Sequence, residues 1–388
     1  MKVLFYIPSL ALRGGMENVT ILKANALSEI EGVEVAIAFA DDLDYRKTII
    51  RPLAPKVKAV DLKAPFRDSE SVSTLGYLKK LNRLRKALQS FIDTWHPDIV
   101  VSTGLMDRYV FPFLRQTSPK YVKVLEYHFA SNYKLIEAKA TTGKIGFLRR
   151  LQHWFDWKVL SKAYDFNALL TGQDLEENAP AGDDRFGYVH NPSTIAVSES
   201  MPESDREKIV LAAGRLTTQK GFESLLRIWK RIKDKDSWRL RIVGDGELRD
   251  KLRALVSELG LEDSVELPGF IADVRAEMVK ASIFVATSRW EGLPLVQVEA
   301  LAAGCPAVSF RTPYGPADIL DGTGAGILVG NGDESAFARE LERLMMSPET
   351  RAEMGAKALE RARDFLPDKI IGRWMNEYRR LIDKKRRD

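Results

Sequence analysis

Apolar runs of strand length alternate with amphipathic stretches along the whole chain. In the first half they fall at residues 2–9, 33–40, 57–62, 98–104, 123–128, 168–172 and 186–190. Continuous Val/Ile/Leu runs separated by helical spacing predict a parallel sheet covered on both faces, since both sides of each strand must be buried. After Asn191-Pro192 a polar stretch, 193–205, interrupts the pattern and reads as a linker. The pattern restarts at 208–213, 238–244, 264–267, 282–288, 307–310 and 326–329. Two doubly wound α/β domains in tandem are therefore expected, 1–190 and 191–367. Ligands of such sheets bind beyond the carboxyl ends of the strands, and a cleft between two domains is the expected site.

Two helical stretches of the first half mix basic and apolar residues. Residues 77–88 alternate Lys79, Lys80, Arg83, Arg85 and Lys86 with Leu78, Leu81, Leu84 and Leu88. Residues 144–164 carry Arg149, Arg150, Lys158 and Lys162 beside Phe147, Trp154, Phe155 and Trp157. Basic, aromatic-rich helices of this kind suit an anionic membrane surface. The alternative is a helix that packs its apolar stripe on the sheet and leaves its charges to water. Packing is favoured for 77–88, and spacing leaves both open for 144–164.

Composition narrows the class. The 388 residues are 45% hydrophobic and 29% charged, as in a soluble globular enzyme. One cysteine, Cys305, excludes an internal disulfide framework, and the four histidines lack metal-ligand spacing, so no metal is expected. No run approaches the roughly 18 apolar residues of a membrane span. The apolar start at 1–7 is short for a secretion signal and runs into the Gly14-Gly15 turn, which makes it a first strand. A cytoplasmic protein is expected. Residues 1–190 hold 27 Lys/Arg against 22 Asp/Glu, and residues 371–388 hold 7 against 3. This basic excess anticipates an anionic partner surface; no nucleic-acid partner is expected.

Four segments carry candidate chemistry. Arg289-Trp290-Glu291-Gly292-Leu293-Pro294-Leu295-Val296 follows a strand-like run and opens a helix that continues through Glu299 to Gly304. Pro294 suits a first helical position, and Gly304 with Pro306 is a stop signal. The N–H groups of Leu295 and Val296 would form an anion seat between two carboxylates, Glu291 and Glu299. Gly214-Arg215-Leu216-Thr217-Thr218-Gln219-Lys220-Gly221 offers two cations beside a helix start, suited to a diphosphate. Val243-Gly244-Asp245-Gly246 and Pro268-Gly269-Phe270-Ile271 are turns that would let a flat base approach the backbone. Gly14-Gly15 joins the first strand to the first helix but lacks the dinucleotide fingerprint, which disfavours a nicotinamide enzyme.

In this order and spacing the segments resemble retaining glycosyltransferase family 4, enzymes of the GT-B fold. The matching motifs are G-R-L-x-x-x-K-G at 214–221, V-G-D-G at 243–246, P-G-F at 268–270, E-x7-E at 291–299 and E-A-x-A-x-G-x-P at 299–306. The resemblance implies that Arg215 and Lys220 bind the donor diphosphate with the N–H groups of Leu295 and Val296. It gives Glu291 the donor-sugar hydroxyls and Glu299 the ribose hydroxyls, with Gly244 and Ile271 bordering the base. Gly15 would close over the phosphates from the opposite domain, and His128 would face the sugar. One departure is Tyr314-Gly315-Pro316, where many members have Gly-Gly and a Glu.

The resemblance further implies a nucleotide-sugar donor, UDP-linked at the level of the family, and a saccharide or lipid-linked acceptor of bacterial surface polysaccharide or lipopolysaccharide synthesis. No cofactor or metal would be required. The last helix, about 368–388, would pack back on the first domain and put about +9 on that lobe and −4 on the other. Contact with an anionic membrane is the corresponding expectation. The alternatives are a nucleotide-sugar epimerase of the same fold and a non-catalytic nucleotide-sugar-binding protein.

Overall fold

The computed structural model describes residues 1–11, 14–40, 51–64, 74–104, 106–199, 202–233, 235 and 237–387. Each expected apolar run forms a strand. They are β1 (Lys2–Ile7), β2 (Glu34–Phe39), β3 (Val57–Asp61), β4 (Ile99–Ser102), β5 (Val122–Glu126), β6 (Phe166–Leu169) and β7 (Phe186–Tyr188). The second set is β8 (Glu207–Ala213), β9 (Arg239–Val243), β10 (Val265–Gly269), β11 (Ala281–Ala286), β12 (Ala307–Arg311) and β13 (Gly326–Gly330). β6 ends earlier than its apolar run because Thr171 caps the next helix, its side chain accepting from the Asp174 N–H. β10 runs on through Pro268 into Gly269, past the expected end at 267. It is an edge strand whose register shifts after Glu266, and an edge tolerates a residue without an N–H.

All strand pairs are parallel. The seven-stranded sheet has the order β3-β2-β1-β4-β5-β6-β7, and the six-stranded sheet β10-β9-β8-β11-β12-β13. In each, the direction of winding reverses once, between β1 and β4 and between β8 and β11. Loops leaving the carboxyl ends of those strands diverge, and the gap they leave is where such folds take ligands.

The chain divides into two compact units. One holds Met1–Asn132, Ile145–Pro192 and Pro367–Asp388, and the other holds Tyr133–Lys144 and Ser193–Leu366. The grouping of Tyr133–Lys144 with the second unit was not anticipated by the simple 1–190 and 191–367 division.

In the first unit, Ile370, Trp374, Tyr378 and Leu381 of the last helix, Pro367–Arg387, join Val3, Phe5 and Ile21 in one core. The helix is fastened at its far end by Lys385 to Asp165 at 2.7 Å and Lys384 to Asp184 at 2.7 Å. The helix Thr74–Trp95 buries Leu84, Leu88 and Ile92 on the sheet and leaves Lys79, Arg83 and Lys86 exposed. It is a packing helix.

The helix Phe147–Lys158 is the reverse case. Its inward contacts are polar: Asp156 pairs with Arg108 at 2.8 Å, and the Gln152 amide donates to the Tyr109 hydroxyl at 3.0 Å. Trp157 alone turns in, stacked on Phe186 with ring centroids 5.3 Å apart. Phe147, Leu148, Leu151, Trp154 and Phe155 all face outward, from 41% to 77% exposed. Those positions form one helical stripe.

Candidate functional site

The two motif loops of the second unit leave the strands that flank its switch point. The loop after β8 holds Gly214–Gly221, and the loop after β11 leads through Glu291 into the helix Leu295–Ala302. Backbone contacts lock them together. The Arg289 N–H donates to the Gln219 carbonyl at 2.8 Å, and the Thr287 hydroxyl donates to the Gly221 carbonyl at 3.1 Å. Gly221 has φ +64°, and a Cβ there would lie 2.2 Å from the Thr287 carbonyl oxygen, so only glycine fits.

This docking brings Lys220 Nζ to 2.6 Å from Glu291 Oε1, with side chains 16% and 8% exposed. The sequence had given the two residues separate jobs, one on phosphate and one on sugar. Here each is the other's partner. The Gln219 amide supports the pair, donating to the Trp290 carbonyl at 3.0 Å and approaching Glu291 Oε2 at 3.5 Å. Ala213, Lys220, Thr287, Glu291, Pro294 and Val296 line one small pocket. Arg215 is exposed and makes no ion pair among the described residues, which leaves its guanidinium available to an incoming anion.

Pro294 is the N-cap and not the first helical residue; its carbonyl accepts from the Gln297 N–H at 2.9 Å. Leu295 and Val296 are thus the first helical residues, with N–H groups ahead of the first intrahelical bond. The helix stops as expected. Gly304, at φ +68°, sends its N–H to the Leu301 carbonyl and Cys305 sends its own to Ala300, a Schellman closure.

Tyr314-Gly315-Pro316 packs on the same corner. Gly315 has φ +89°, and a Cβ there would come within 2.1 Å of the Gly292 oxygen and 2.7 Å of Pro294 Cδ. The departure from the common family pattern therefore touches the motif loop itself. Gly244 follows β9, donating its N–H to the Gly269 carbonyl at 2.9 Å, and Ile271 is half-buried just beyond β10. The two turns expected to border a base are neighbours.

Glu299 lies one turn into the helix and accepts a hydrogen bond from the Thr194 hydroxyl. Nothing local in the sequence pointed to Thr194, which stands 105 residues away in the polar stretch read as a bare linker. Gln219 was equally unmarked, although it sits inside the Gly214–Gly221 motif.

In the first unit, Gly15 begins the helix Gly15–Ser28 at the carboxyl end of β1, and His128 lies just past β5. At that helix start the chain's own carboxylate is close by: a Cβ on Gly14 would lie 2.1 Å from Glu17 Oε2. His128 is a buried histidine, its side chain 2% exposed and Nε2 3.6 Å from Glu126 Oε2. Neither ring nitrogen has a hydrogen-bond partner among the described residues. Glu126 in turn holds Lys23 Nζ at 2.5 Å, both side chains at most 4% exposed. Burial acts to raise the Glu126 carboxyl, but Lys23 and His128 outweigh it and hold it below the usual range. Gly15 and His128 both belong to the first unit.

Residues 195–361 match the family described as Glycosyl transferases group 1. A Haemophilus influenzae uncharacterized glycosyltransferase is 27% identical over 375 residues, covering 96% of this chain and 98% of that one. A Campylobacter jejuni protein is 27% identical over 389 residues, covering 97% of each chain. It is named as a GalNAc-alpha-(1->4)-GalNAc-alpha-(1->3)-diNAcBac-PP-undecaprenol alpha-1,4-N-acetyl-D-galactosaminyltransferase. A variant of S. aureus TarM, crystallised with fondaparinux, alpha-GlcNAc-glycerol and UDP, superposes with a TM-score of 0.77 at 14% identity. It covers 97% of this chain and 99% of that one. At that identity the likeness shows the fold, the two parallel-sheet α/β domains of the GT-B class. The match to the group 1 glycosyltransferases thus falls on the unit whose motif loops come together at the switch point, and full-length similarity extends to bacterial proteins named as glycosyltransferases.

Proposed function

We propose that the chain is a retaining hexosyltransferase that takes a nucleotide-sugar, UDP-linked, and glycosylates a saccharide or lipid-linked acceptor of bacterial surface polysaccharide or lipopolysaccharide synthesis. The observation that carries this is the Lys220–Glu291 pair at the β8/β11 switch point, beside the exposed Arg215 and the open helix start at Leu295. Lys220, Arg215 and the N–H groups of Leu295 and Val296 take the diphosphate; Glu291 takes sugar hydroxyls, so the donor replaces each partner of the pair with another. Glu299 takes the ribose. The bond from the anomeric carbon to the diphosphate breaks as the acceptor oxygen bonds on the same face. The acceptor proton passes to the departing diphosphate. Fixed cations neutralise the leaving group, so no metal is required, and transfer should proceed undiminished in EDTA. A thermal-shift panel of nucleotide-sugars, followed by anomer analysis of the product, tests the reading. Stabilisation by none of them, or an inverted product, overturns it.

The outward apolar stripe of the helix Phe147–Lys158, flanked by Arg149, Arg150 and Lys158, supports peripheral contact with an anionic membrane. No described helix is long and apolar enough to cross one. Anionic vesicles should capture the protein and shift Trp154 fluorescence to the blue, and Leu148→Ser with Phe155→Ser should release it. Equal capture by neutral vesicles would count against the electrostatic part.

A further inference from the structure

The polar stretch after Asn191-Pro192 is laid along the motif helix and pinned at both ends. The Ser193 N–H donates to the Phe365 carbonyl at 2.7 Å. The Ser198 N–H donates to the Ala302 carbonyl at 2.7 Å, satisfying an acceptor that the last helical turn leaves open. Ser193 is 1% exposed, and its hydroxyl donates to the Ile195 carbonyl at 2.8 Å, which folds the segment tightly around position 194. Between these anchors the Thr194 hydroxyl reaches Glu299 Oε1. Threonine is stiff at χ1, so a hydroxyl on a fixed backbone holds a fixed direction.

We propose that Thr194 is a positioning residue for the nucleotide: by occupying one oxygen of Glu299 it fixes the plane of the carboxylate and sets how well it receives the two ribose hydroxyls. This rests on the reading of Glu299 as the ribose carboxylate. A carboxylate offers about four lone-pair sites on two oxygens. A glutamate side chain has three torsions, and ordering them when the ligand arrives costs affinity. The contact with Thr194 lowers that cost in advance. It touches neither sugar nor diphosphate in this scheme, so its effect falls on donor affinity and not on the rate of the bound complex.

The test uses the full chain and whichever of UDP, GDP, ADP and CDP binds most tightly, with its 2′,3′-dideoxy analogue. Thr194→Val keeps the shape and removes the hydroxyl. It should weaken the nucleotide about 10- to 100-fold, the range for a hydrogen bond to a charged group, and raise donor KM with kcat nearly unchanged. Thr194→Ser should recover most of the loss. The dideoxy analogue should bind the wild type more weakly than its parent, and that penalty should shrink in Thr194→Val. Wild-type affinity in Thr194→Val while Glu299→Gln binds poorly would overturn the positioning role and leave the ribose reading standing. Equal losses for the ribose and dideoxy ligands would overturn it too, since the residue would then only hold the strand. Unchanged affinity in Glu299→Gln would sink the ribose reading and the proposal with it.

Discussion

Lys220→Ala should lower turnover about 10²- to 10³-fold, as for removal of one preorganised group that stabilises transition-state charge. The lysine ammonium is fixed by its contact with Glu291 at 2.6 Å, and its stem lies under Gly214, where a Cβ would be 3.3 Å from Lys220 Cε. That packing of the stem keeps the ammonium at the site when the donor takes the place of Glu291. The same substitution has a second consequence that only the structure shows. Glu291, 8% exposed, loses its cation and is left with the Gln219 amide, so some loss of stability should accompany the loss of rate. The two effects separate in the double variant Lys220→Ala with Glu291→Gln, which should regain stability and remain slow. Single-turnover assays with saturating donor read the rate, and near-normal turnover in Lys220→Ala would refute the assignment.

The second large effect is expected in the first unit. Lys23→Met should destabilise that unit by about 3–5 kcal/mol, the range for removing one partner of a buried ion pair. Lys23 Nζ sits 2.5 Å from Glu126 Oε1 and 4.0 Å from the centre of the Trp374 ring, so one ammonium joins the helix Gly15–Ser28, β5 and the last helix. Without it Glu126 is a buried carboxylate that has lost its ammonium partner and keeps His128 at 3.6 Å. Urea denaturation combined with hydrogen exchange across Pro367–Arg387 measures this, and protection in that helix should fall with the global stability. A change below about 1 kcal/mol would show that the site admits water easily. Replacing both partners, Lys23→Met with Glu126→Leu, should restore most of the loss.

The pair also predicts a pH limit. The folded-state carboxyl of Glu126 lies below its unfolded value, so its contribution is fully present above the ordinary carboxylate range and is lost as pH falls through the lowered one. Glu126→Gln should flatten that acid limb.

The strand ladder was legible because its signal is local. A strand buried on both faces must be apolar at every position, and each such run appears in the structure at or within a few residues of its expected bounds. The motif loops were legible for the same reason. Gly221, Gly304 and Gly315 stand where a positive φ is needed, and Pro294 where a helix begins. The misses are equally specific. Strand β10 ran past Pro268 because edge position, which depends on the whole sheet, decides whether a missing N–H matters. The burial of His128 beside Glu126 was equally hidden, since burial depends on what packs over a side chain.

The sequence by itself determined the number and order of the strands, the parallel class, the switch-point loops and the identity of the groups they carry, since each depends on periodicity or on residues within about ten positions of one another. Only the tertiary structure decided the pairings. That Lys220 answers Glu291, that Thr194 holds Glu299 and that Lys23 answers Glu126 involve separations of 71, 105 and 103 residues. It also decided that the stripe of the helix Phe147–Lys158 faces outward, while the equally basic helix Thr74–Trp95 turns its stripe in. An amphipathic pattern states that two faces differ. Which face is covered depends on the partners the rest of the fold presents, and Arg108 and Tyr109, in the turn after β4, meet the polar face of that helix.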